Sequence, residues 1–554
     1  MKSMGAAALS TALLSAYPGI ASAGKGSTNK RPNIVMILTD DQGYGDIGCH
    51  GNDILKTPNI DRLARDGVEF TNFCVYPVCS PTRAGLMTGR YCYRTGVVDT
   101  YLGRSMMYPE EFTIAEALKS AGYRSGIFGK WHLGDNYPMR AIDQGFDESL
   151  ICRGGGLAQP SGPPDNGYFD PIIERNGVPF KSKGYCTDIF TDAAIDYIKK
   201  HKDEPFFTYV AYNAPHVPLE IDPKYIEPYK AAGLDDITAA TYGMITNVDE
   251  NVGRILQTLH DLKLEENTIV IFFTDNGPQY PRYNSGLRDA KGSVYEGGIH
   301  VPFFIRWPEK LQTGKKIDTM SAHIDLMPTL LDACGVKAPD APKMDGISLM
   351  PLLTGDDVKW PDRYLFFQWH RGDEPRLYEN CAVRSQRYKL VNGKELYDLV
   401  ADPGEVNDVS AGHPVTVNRM RSAYEECMKD VSSPRGYAPP RIHLGTKHEN
   451  PTILTRQDLR GPHAEWSPTG LGYWEVKVER SADFEIKLQF DLLPNSAEIH
   501  FSLGEASFNK NLAKGADSCI IESIHLKSGN GRLEAWVEMD GKQVGMNYVT
   551  VRKR

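Results

Sequence analysis

Runs of apolar residues that end abruptly in polar ones recur along the first two thirds of the chain. Residues 33–38, 206–212 and 268–273 are almost entirely apolar, a pattern typical of strands buried on both faces of a parallel sheet. Between them lie segments such as residues 113–121, in which apolar positions repeat at helical spacing. We therefore predict an α/β fold over residues 24–355, in which a large mixed, mainly parallel sheet is flanked by helices.

The spacing of the predicted elements shortens after this part of the chain. Residues 387–398 contain two short apolar stretches on either side of Asn392-Gly393, and Asn-Gly between such stretches is a strong hairpin signal. This pattern predicts a small subdomain with antiparallel strands over residues 356–435.

The C-terminal part of the chain shows a third pattern, in which apolar and polar residues alternate strictly. The alternating stretches are residues 473–479, 484–490 and 533–539. Alternation of this kind predicts half-buried strands, and Asp540-Gly541 supplies a tight turn. We predict an all-β, β-sandwich-like accessory module at 441–554, which either packs against the rest of the molecule or binds carbohydrate. Trp474 and Trp536 fit an exposed binding surface or the core of the module.

The N-terminus and the overall charge indicate where the protein works. Lys2, the apolar stretch 5–20 and Ala21-Ser22-Ala23 together resemble a secretory signal peptide, which we place at residues 1–23. We therefore expect an exported protein, either periplasmic or secreted, and we expect no membrane span, because no later run is long and apolar enough. A net charge of -9 argues against nucleic acid as a partner.

Hard oxygen ligands follow two of the predicted buried strands. Asp40 and Asp41 come directly after the first strand, and Asp275 and Asn276 follow the strand at 268–273. Carboxylate and amide oxygens are the ligands that Ca²⁺ prefers, and neither motif contains imidazole or thiolate. The pattern predicts a site for a divalent cation, although strand-terminal Asp and Asn also cap helices and turns.

The run Cys79-Ser80-Pro81-Thr82-Arg83, continued to Gly89, resembles the C-x-P-x-R signature of the type I sulfatases. These are formylglycine-dependent, arylsulfatase-like enzymes of the alkaline phosphatase superfamily. The resemblance implies that Cys79 is oxidised to formylglycine by a formylglycine-generating enzyme or an anaerobic maturase. It also implies a small antiparallel sheet with a helix in the second subdomain. Without that resemblance, Cys79 would be a small buried cysteine before a helix opened by Pro81.

Further motifs match the same family. Gly129-Lys130-Trp131-His132 is similar to its second signature, His216 follows another buried strand, and Lys291 precedes Glu296-Gly297-Gly298. The resemblance implies that the hydrated formylglycine attacks sulfur. By the same resemblance, Arg83 and Lys130 orient the nucleophile and His132 is the base that expels sulfate. His216, with Lys291, assists the leaving alcohol. The ligands that it implies for calcium, with Mg²⁺ as the alternative, are Asp40, Asp41, Asp275, Asn276 and the formylglycine oxygen at position 79. These positions meet outside the carboxyl ends of the strands, where open α/β sheets bind ligands.

The substrate is less closely defined by the sequence. Trp369, His370 and Arg371 combine an aromatic surface with cationic donors, which fits a sugar contact or an ordinary contact between domains. Together with the accessory module, they favour a sulfated glycan and thus a carbohydrate sulfatase. The alternatives are a phosphomonoesterase or phosphonate hydrolase of the same superfamily and a catalytically inert glycan-binding protein.

Cysteine usage gives little further constraint. The chain has ten cysteines, and assignment of Cys79 to formylglycine leaves an odd number that cannot all pair. Their scattered spacing shows neither a metal-binding pattern nor a disulfide framework. The sequence leaves open whether one or two disulfide bridges form in an oxidising compartment.

Overall fold

The computed structural model of the protein describes residues 31–338, 341–356, 360–432 and 436–554. The predicted signal peptide at 1–23 lies outside the described residues. The strands of the N-terminal part are β1 (Asn33–Thr39), β2 (Val68–Phe70), β3 (Phe73–Cys74), β4 (Arg124–Lys130), β5 (Glu148–Cys152), β6 (Ile172–Arg175), β7 (Val178–Lys181), β8 (Phe206–Ala211), β9 (Thr268–Thr274), β10 (His300–Val301), β11 (Phe303–Arg306), β12 (Lys315–Ile317) and β13 (Ser321–Ala322).

Ten of these strands form one sheet in the order β12-β2-β11-β9-β1-β8-β4-β5-β6-β7. The five strands from β9 to β5 are mutually parallel, whereas β11, β6 and β7 pair antiparallel at the flanks. Strands β10, β3 and β13 make a small separate sheet. The prediction of a large mixed, mainly parallel sheet is confirmed.

Helices cover both faces of the large sheet. They are α1 (Pro58–Asp66), α2 (Cys79–Thr88), α3 (Ile114–Ser120), α4 (Cys186–Lys200), α5 (Pro223–Ala231), α6 (Asp236–Asp261), α7 (Glu296–Ile299), α8 (Leu326–Ala333) and α9 (Met350–Thr354). Alternate residues of β1 separate the two cores: Met36 packs with α2, α3 and α8 on one face, and Ile37 packs with α1, α4 and α6 on the other. This double burial explains why β1 is an unbroken apolar run. Helix α3 begins at Thr113, which makes a capping box with Glu116.

The second part of the chain contains a four-stranded antiparallel sheet and a long helix. Its elements are β14 (Leu365–Gln368), β15 (Cys381–Arg384), β16 (Tyr388–Val391), β17 (Glu395–Asp398) and α10 (Pro414–Ser432). Strands β16 and β17 form the predicted hairpin, with Asn392 at φ 50° and Gly393 at φ 66°, the left-handed conformation that such a turn requires. Helix α10 packs on this sheet through Met420 and Tyr424, so the α+β arrangement is confirmed.

The C-terminal part is all-β. Its strands are β18 (Ile442–Leu444), β19 (Thr452–Thr455), β20 (Arg460–His463), β21 (Leu471–Val478), β22 (Ala482–Gln489), β23 (Ala497–Leu503), β24 (Ala506–Leu512), β25 (Ser518–Leu526), β26 (Gly529–Met539), β27 (Lys542–Gly545) and β28 (Tyr548–Lys553). They form a seven-stranded and a four-stranded sheet, whose inner residues share one core. Trp474 is buried in that core, whereas Trp536 is half-buried and stacks on His500. Asp540-Gly541 makes the predicted turn between β26 and β27.

Short 3-10 helices complete the fold. They lie at Gly48–His50, Cys92–Thr95, Ala141–Asp143, Glu265–Asn267, His323–Asp325, Ser410–Gly412 and Arg456–Asp458. Residues 31–554 form one compact unit, and the boundaries at 355, 435 and 441 stay predictions. All ten cysteines are unpaired. Within the described ranges, we find no helix of a length and hydropathy that would let it cross a bilayer.

Candidate active site

The predicted metal ligands meet at the carboxyl ends of two paired strands. Strands β1 and β9 run parallel with Thr39 opposite Thr274, so the residues that follow them in the chain emerge side by side. Asp40, Asp41, Asp275 and Asn276 are all buried there. The peptide N–H of Asp41 faces Asp275 Oδ1 at 3.4 Å, and Asn276 Nδ2 donates to Asp41 Oδ1 at 2.7 Å.

Three oxygens of this cluster are left without partners. Asp40 Oδ1, Asp41 Oδ2 and Asn276 Oδ1 are buried and accept no hydrogen bond from any group in the part of the chain that the structure describes. Carboxylate oxygens of Asp40 and Asp275 also lie within 4.8 Å of each other and of Cys79 Sγ. A buried polar atom without a partner is costly, and hard oxygen donors at this spacing suit Ca²⁺. The residues present therefore fit the divalent cation that the sequence predicts.

Three positively charged side chains balance the three carboxylates. Arg83 Nη2 lies 2.7 Å from Asp275 Oδ2, Lys291 Nζ lies 2.7 Å from Asp41 Oδ1, and Lys130 Nζ is paired with Asp40. A divalent cation added to these paired charges would leave a net positive charge of about two, which would attract an anionic group.

The protonation of the cluster follows from these contacts. Burial alone would raise the pKa of Asp40, but the positive charge of Lys130, together with Arg83, holds that pKa well below its usual range. For Asp275, burial raises the pKa to about 7, and the neighbouring charge of Asp40 adds to the increase. Lys291 is half-buried, and although desolvation would lower its pKa, the negative charge of Asp41 raises that pKa above the usual value. Lys130 and Lys291 thus stay charged at neutral pH.

Cys79 is the first residue of α2 and lies at the edge of this cluster. The whole helix is buried, and it ends at Gly89, whose φ of 67° suits glycine. The sequence placed Pro81 at the start of the helix; it is instead the third residue, still within the first turn that tolerates proline. Burial raises the pKa of the Cys79 thiol, although Lys130 and Lys291 oppose the increase. The unmodified side chain is therefore a neutral thiol.

His132 is oriented by a backbone carbonyl. Its Nε2 lies 2.7 Å from the oxygen of Thr100, and because a carbonyl can only accept, Nε2 carries the proton. The other nitrogen, Nδ1, is then a free acceptor, and it lies 3.3 Å from Cys79 Sγ. Burial and the charge of Lys130 lower the pKa of His132 well below its usual value. The backbone of His132 has φ 58°, a costly conformation that recurs at functional sites.

His216 approaches the cluster from the end of β8. Its Nδ1 donates to the oxygen of Val217 at 2.7 Å, which directs Nε2 towards Asp41 Oδ2, 3.9 Å away. Burial, followed by the charge of Lys291, lowers the pKa of His216.

A cavity of about 300 Å³ opens onto these groups. Cys79, His132, His216 and Lys291 line it, together with Trp369 and Arg371. Arg83 does not line it, because its guanidinium is bonded to Asp275 and to the oxygen of Lys130.

The structure corrects one predicted substrate contact. His370 does not reach the cavity: its Nδ1 donates to the oxygen of Arg371 and its Nε2 accepts the peptide N–H of Arg376. Trp369 and Arg371 line the cavity, whereas His370 does not.

Several residues of the cavity were not singled out by the sequence. Gln159, Gln279 and Trp466 line it, and no motif identifies them. Thr100 and Gly155 also line it; they lie in the segments 90–104 and 152–156, from which the sequence does predict contributions to specificity. A Cβ at Gly155 would approach His132 Cε1 to 2.7 Å, which explains glycine at that position.

Residues 32–336 match the family model described as Sulfatase, and residues 286–430 match the one described as N-sulphoglucosamine sulphohydrolase, C-terminal. The chain belongs to the sulfatase family. This sulfatase is similar to human arylsulfatase A, with 34% identity over 411 residues that cover 67% of the chain and 77% of the relative. It also resembles N-acetylgalactosamine-6-O-sulfatase of Bacteroides thetaiotaomicron, with 28% identity over 72% of the chain and 94% of the relative. The predicted sulfuric ester hydrolase activity is thereby confirmed.

Solved structures agree with this assignment. The crystal structure of Ps i-CgsB covers 74% of this sulfatase and 95% of that chain, with a TM-score of 0.68 and 29% identity. The same protein has been solved in complex with k-i-k-neocarrahexaose. A phosphonate monoester hydrolase of Agrobacterium radiobacter shares the fold at 23% identity and a TM-score of 0.53, and that likeness extends to the fold alone.

Proposed function

We propose that this sulfatase removes O-sulfate groups from a glycan by means of a formylglycine formed from Cys79. The observation that carries the proposal is the position of Cys79 in the active-site cavity, between His132 and the acidic cluster. The relative named N-acetylgalactosamine-6-O-sulfatase and the neighbour solved in complex with k-i-k-neocarrahexaose support a carbohydrate substrate.

The charged residues bind and orient the sulfate group. Lys291 and Lys130 stay charged, and Lys291 lines the cavity, so its ammonium group can neutralise charge that develops on the ester oxygens. Arg83 and Lys130 position Asp275 and Asp40 rather than the ester. Asp40, Asp41, Asp275, Asn276 and the oxygen at position 79 would hold Ca²⁺, or Mg²⁺ as the alternative. The cation supplies Lewis-acid polarisation of the sulfate oxygens when bound.

The two histidines serve different steps: His132 acts in the release of sulfate, and His216 acts on the leaving alcohol. The free Nδ1 of His132 faces position 79 and can accept a hydroxyl proton there, as the release of sulfate from a formylglycine hydrate requires. His216 Nε2 and the ammonium group of Lys291 lie beside Asp41 at the cavity. The departing alcohol is protonated or stabilised there by Lys291, or by His216 after its Nε2 has taken up a proton. Hydrated formylglycine supplies the nucleophilic oxygen that a neutral thiol lacks.

The signal peptide predicted at residues 1–23 supports export of the enzyme, to the periplasm or beyond. Sequencing of the N-terminus of the mature protein tests this expectation, since cleavage after Ala23 leaves Gly24 as the first residue.

The test of the main proposal combines mass spectrometry with sulfate release. The peptide that contains position 79, isolated from the native host, should be lighter than the cysteine form. The enzyme should then liberate inorganic sulfate from members of a panel of sulfated oligosaccharides. A native enzyme that carries unmodified cysteine and still turns over would refute the assigned nucleophile. Two bound zinc ions with phosphatase activity would favour the phosphomonoesterase or phosphonate hydrolase alternative.

A further inference from the structure

One residue of the C-terminal all-β part lies in the active-site cavity. Trp466, on the segment between β20 and β21, lines the same cavity as Cys79, Trp369 and Arg371. Exposure increases away from the nucleophile position: Cys79 is 2% exposed, Trp466 is half-buried, and the side chain of Arg371 is 54% exposed. The aromatic and guanidinium groups therefore form the outer part of the cavity.

Trp466 contacts both parts of the chain, through its ring on one side and its backbone carbonyl on the other. It packs edge-to-face on Tyr101, with ring centroids 5.3 Å apart and an angle of 84°. The Arg371 guanidinium lies over Tyr101 at 4.2 Å and over Trp369 at 5.0 Å. On its own side, the carbonyl of Trp466 accepts a hydrogen bond from Arg456. A ring fixed in this way is ordered before any ligand arrives, so binding costs it little conformational entropy.

The C-terminal all-β part also contacts the backbone carbonyl that orients His132. Gln457 Nε2 donates to the carbonyl of Thr100 at 3.1 Å, the oxygen that also accepts from His132 Nε2. Gln457 is 1% exposed. The C-terminal part is thus built into the active site.

Further polar contacts fix the two parts to each other. Arg460 pairs with Asp373 at 3.0 Å, Tyr548 donates to the oxygen of Gly162 at 2.7 Å, and Arg153 donates to the oxygen of Ile453 at 3.2 Å. A carbohydrate-binding module on a flexible tether would not make such contacts with the rest of the chain.

We propose that the C-terminal β-module forms a wall of the substrate site and that Trp466 is a platform for a sugar ring of the sulfated glycan. This inference rests on the proposed function. The face of an indole offers a flat, rigid apolar surface that suits the C–H face of a pyranose. Arg371, which lies over the rings of Tyr101 and Trp369, adds a cationic donor for hydroxyl or sulfate groups. The substrate is therefore a sugar that extends beyond the sulfated carbon and contacts both parts of the chain.

The experiment measures desulfation of an oligosaccharide that the wild type turns over, and uses inorganic sulfate as a competitive inhibitor that reports on the catalytic pocket alone. Trp466→Ala should raise KM for the oligosaccharide about 10-fold, the size expected for loss of an aromatic stacking contact. The value of kcat and the inhibition constant for sulfate should change less than 2-fold. Trp466→Phe should retain most of the affinity.

The matched control is Trp536→Ala, which removes a half-buried tryptophan of the same module that stacks on His500; its KM should stay at the wild-type value. A KM for Trp466→Ala within 2-fold of wild type would overturn the platform. Weaker inhibition of Trp466→Ala by inorganic sulfate would also overturn it, because that result would show that Trp466 supports the structure of the catalytic pocket. A wild type active on aryl sulfates but on no glycan would instead refute the glycan assignment in the proposed function, and the platform with it.

Discussion

Calcium should stabilise the protein through the three oxygens that lack partners. A ligand present at 100 times its Kd stabilises the folded state by about 2.7 kcal/mol. Unfolding entropies near 2.1 cal/mol/K per residue give about 1 kcal/mol/K for roughly 500 residues that unfold cooperatively. The expected rise in Tm is therefore about 2.6 °C at that concentration. Each further tenfold increase in free calcium should add about 1.3 °C.

The assay is thermal unfolding of chelator-treated protein in buffered free calcium. Asp41→Asn removes the charge of one ligand, so the rise should begin at a calcium concentration at least 10-fold higher. The matched control is Asp325→Asn, which changes another fully buried carboxylate. Both Asp325 oxygens already accept hydrogen bonds, from Ala322, Ile347 and Arg363. This control should lower Tm while it leaves the dependence on calcium unchanged.

The absence of any shift with calcium or magnesium would refute the reasoning from unpartnered oxygens. A control variant that shifted the calcium dependence as strongly as Asp41→Asn would show that the effect is a general response to lost stability.

The remaining predictions concern the nucleophile, the leaving group and the interface. Cys79→Ala should abolish sulfate release and keep the fold, as judged by circular dichroism. Cys186 is another buried cysteine at the start of a helix, and the control variant Cys186→Ala should stay active. Turnover by Cys79→Ala would disprove the assignment of Cys79 as the nucleophile. His216→Ala should reduce kcat/KM at least 10-fold more for a glycan sulfate than for a nitrophenyl sulfate, because a good leaving group needs little protonation; equal losses would favour Lys291 in that role. Burial and then the charge of Asp135 raise the pKa of Asp458 to about 8, so the folded state holds a proton that the unfolded state releases near pH 3.8. Stability should then fall as pH rises from about 4 to about 8, by at most about 1.4 kcal/mol per unit, and Asp458→Asn should gain in Tm over wild type across that window; a constant difference between the two proteins would contradict the raised pKa.

The sequence was sufficient to predict those site residues that directly follow a buried strand in the chain. Asp40 and Asp275 come immediately after apolar runs, and the parallel pairing of β1 with β9 places them together. The motif around Cys79 likewise predicted a helix there. What sequence could not supply is contact between distant segments. Trp466 contacts Tyr101 only because two segments more than 350 residues apart in the sequence pack together, and no local pattern predicts that contact.

His370 illustrates a different limit. It stands between two residues that line the cavity, so composition alone grouped it with them. The backbone direction of the segment and the peptide N–H of Arg376 decide its orientation, and neither is visible in a string of residue types. The unpartnered oxygens of Asp41 and Asn276 also needed coordinates, because only a full set of hydrogen-bond partners shows which acceptors remain open.

The contribution of Trp466 to the cavity has a consequence in time. Synthesis proceeds from the N-terminus, so the helix that carries Cys79 leaves the ribosome well before the segment that carries Trp466. At about 5 to 20 residues per second, this delay lasts roughly 20 to 80 s. During that interval Trp466 is not yet part of the cavity. The proposed oxidation of Cys79 would then act on a nascent chain that lacks this part of the wall, and the β-module would complete the pocket only afterwards.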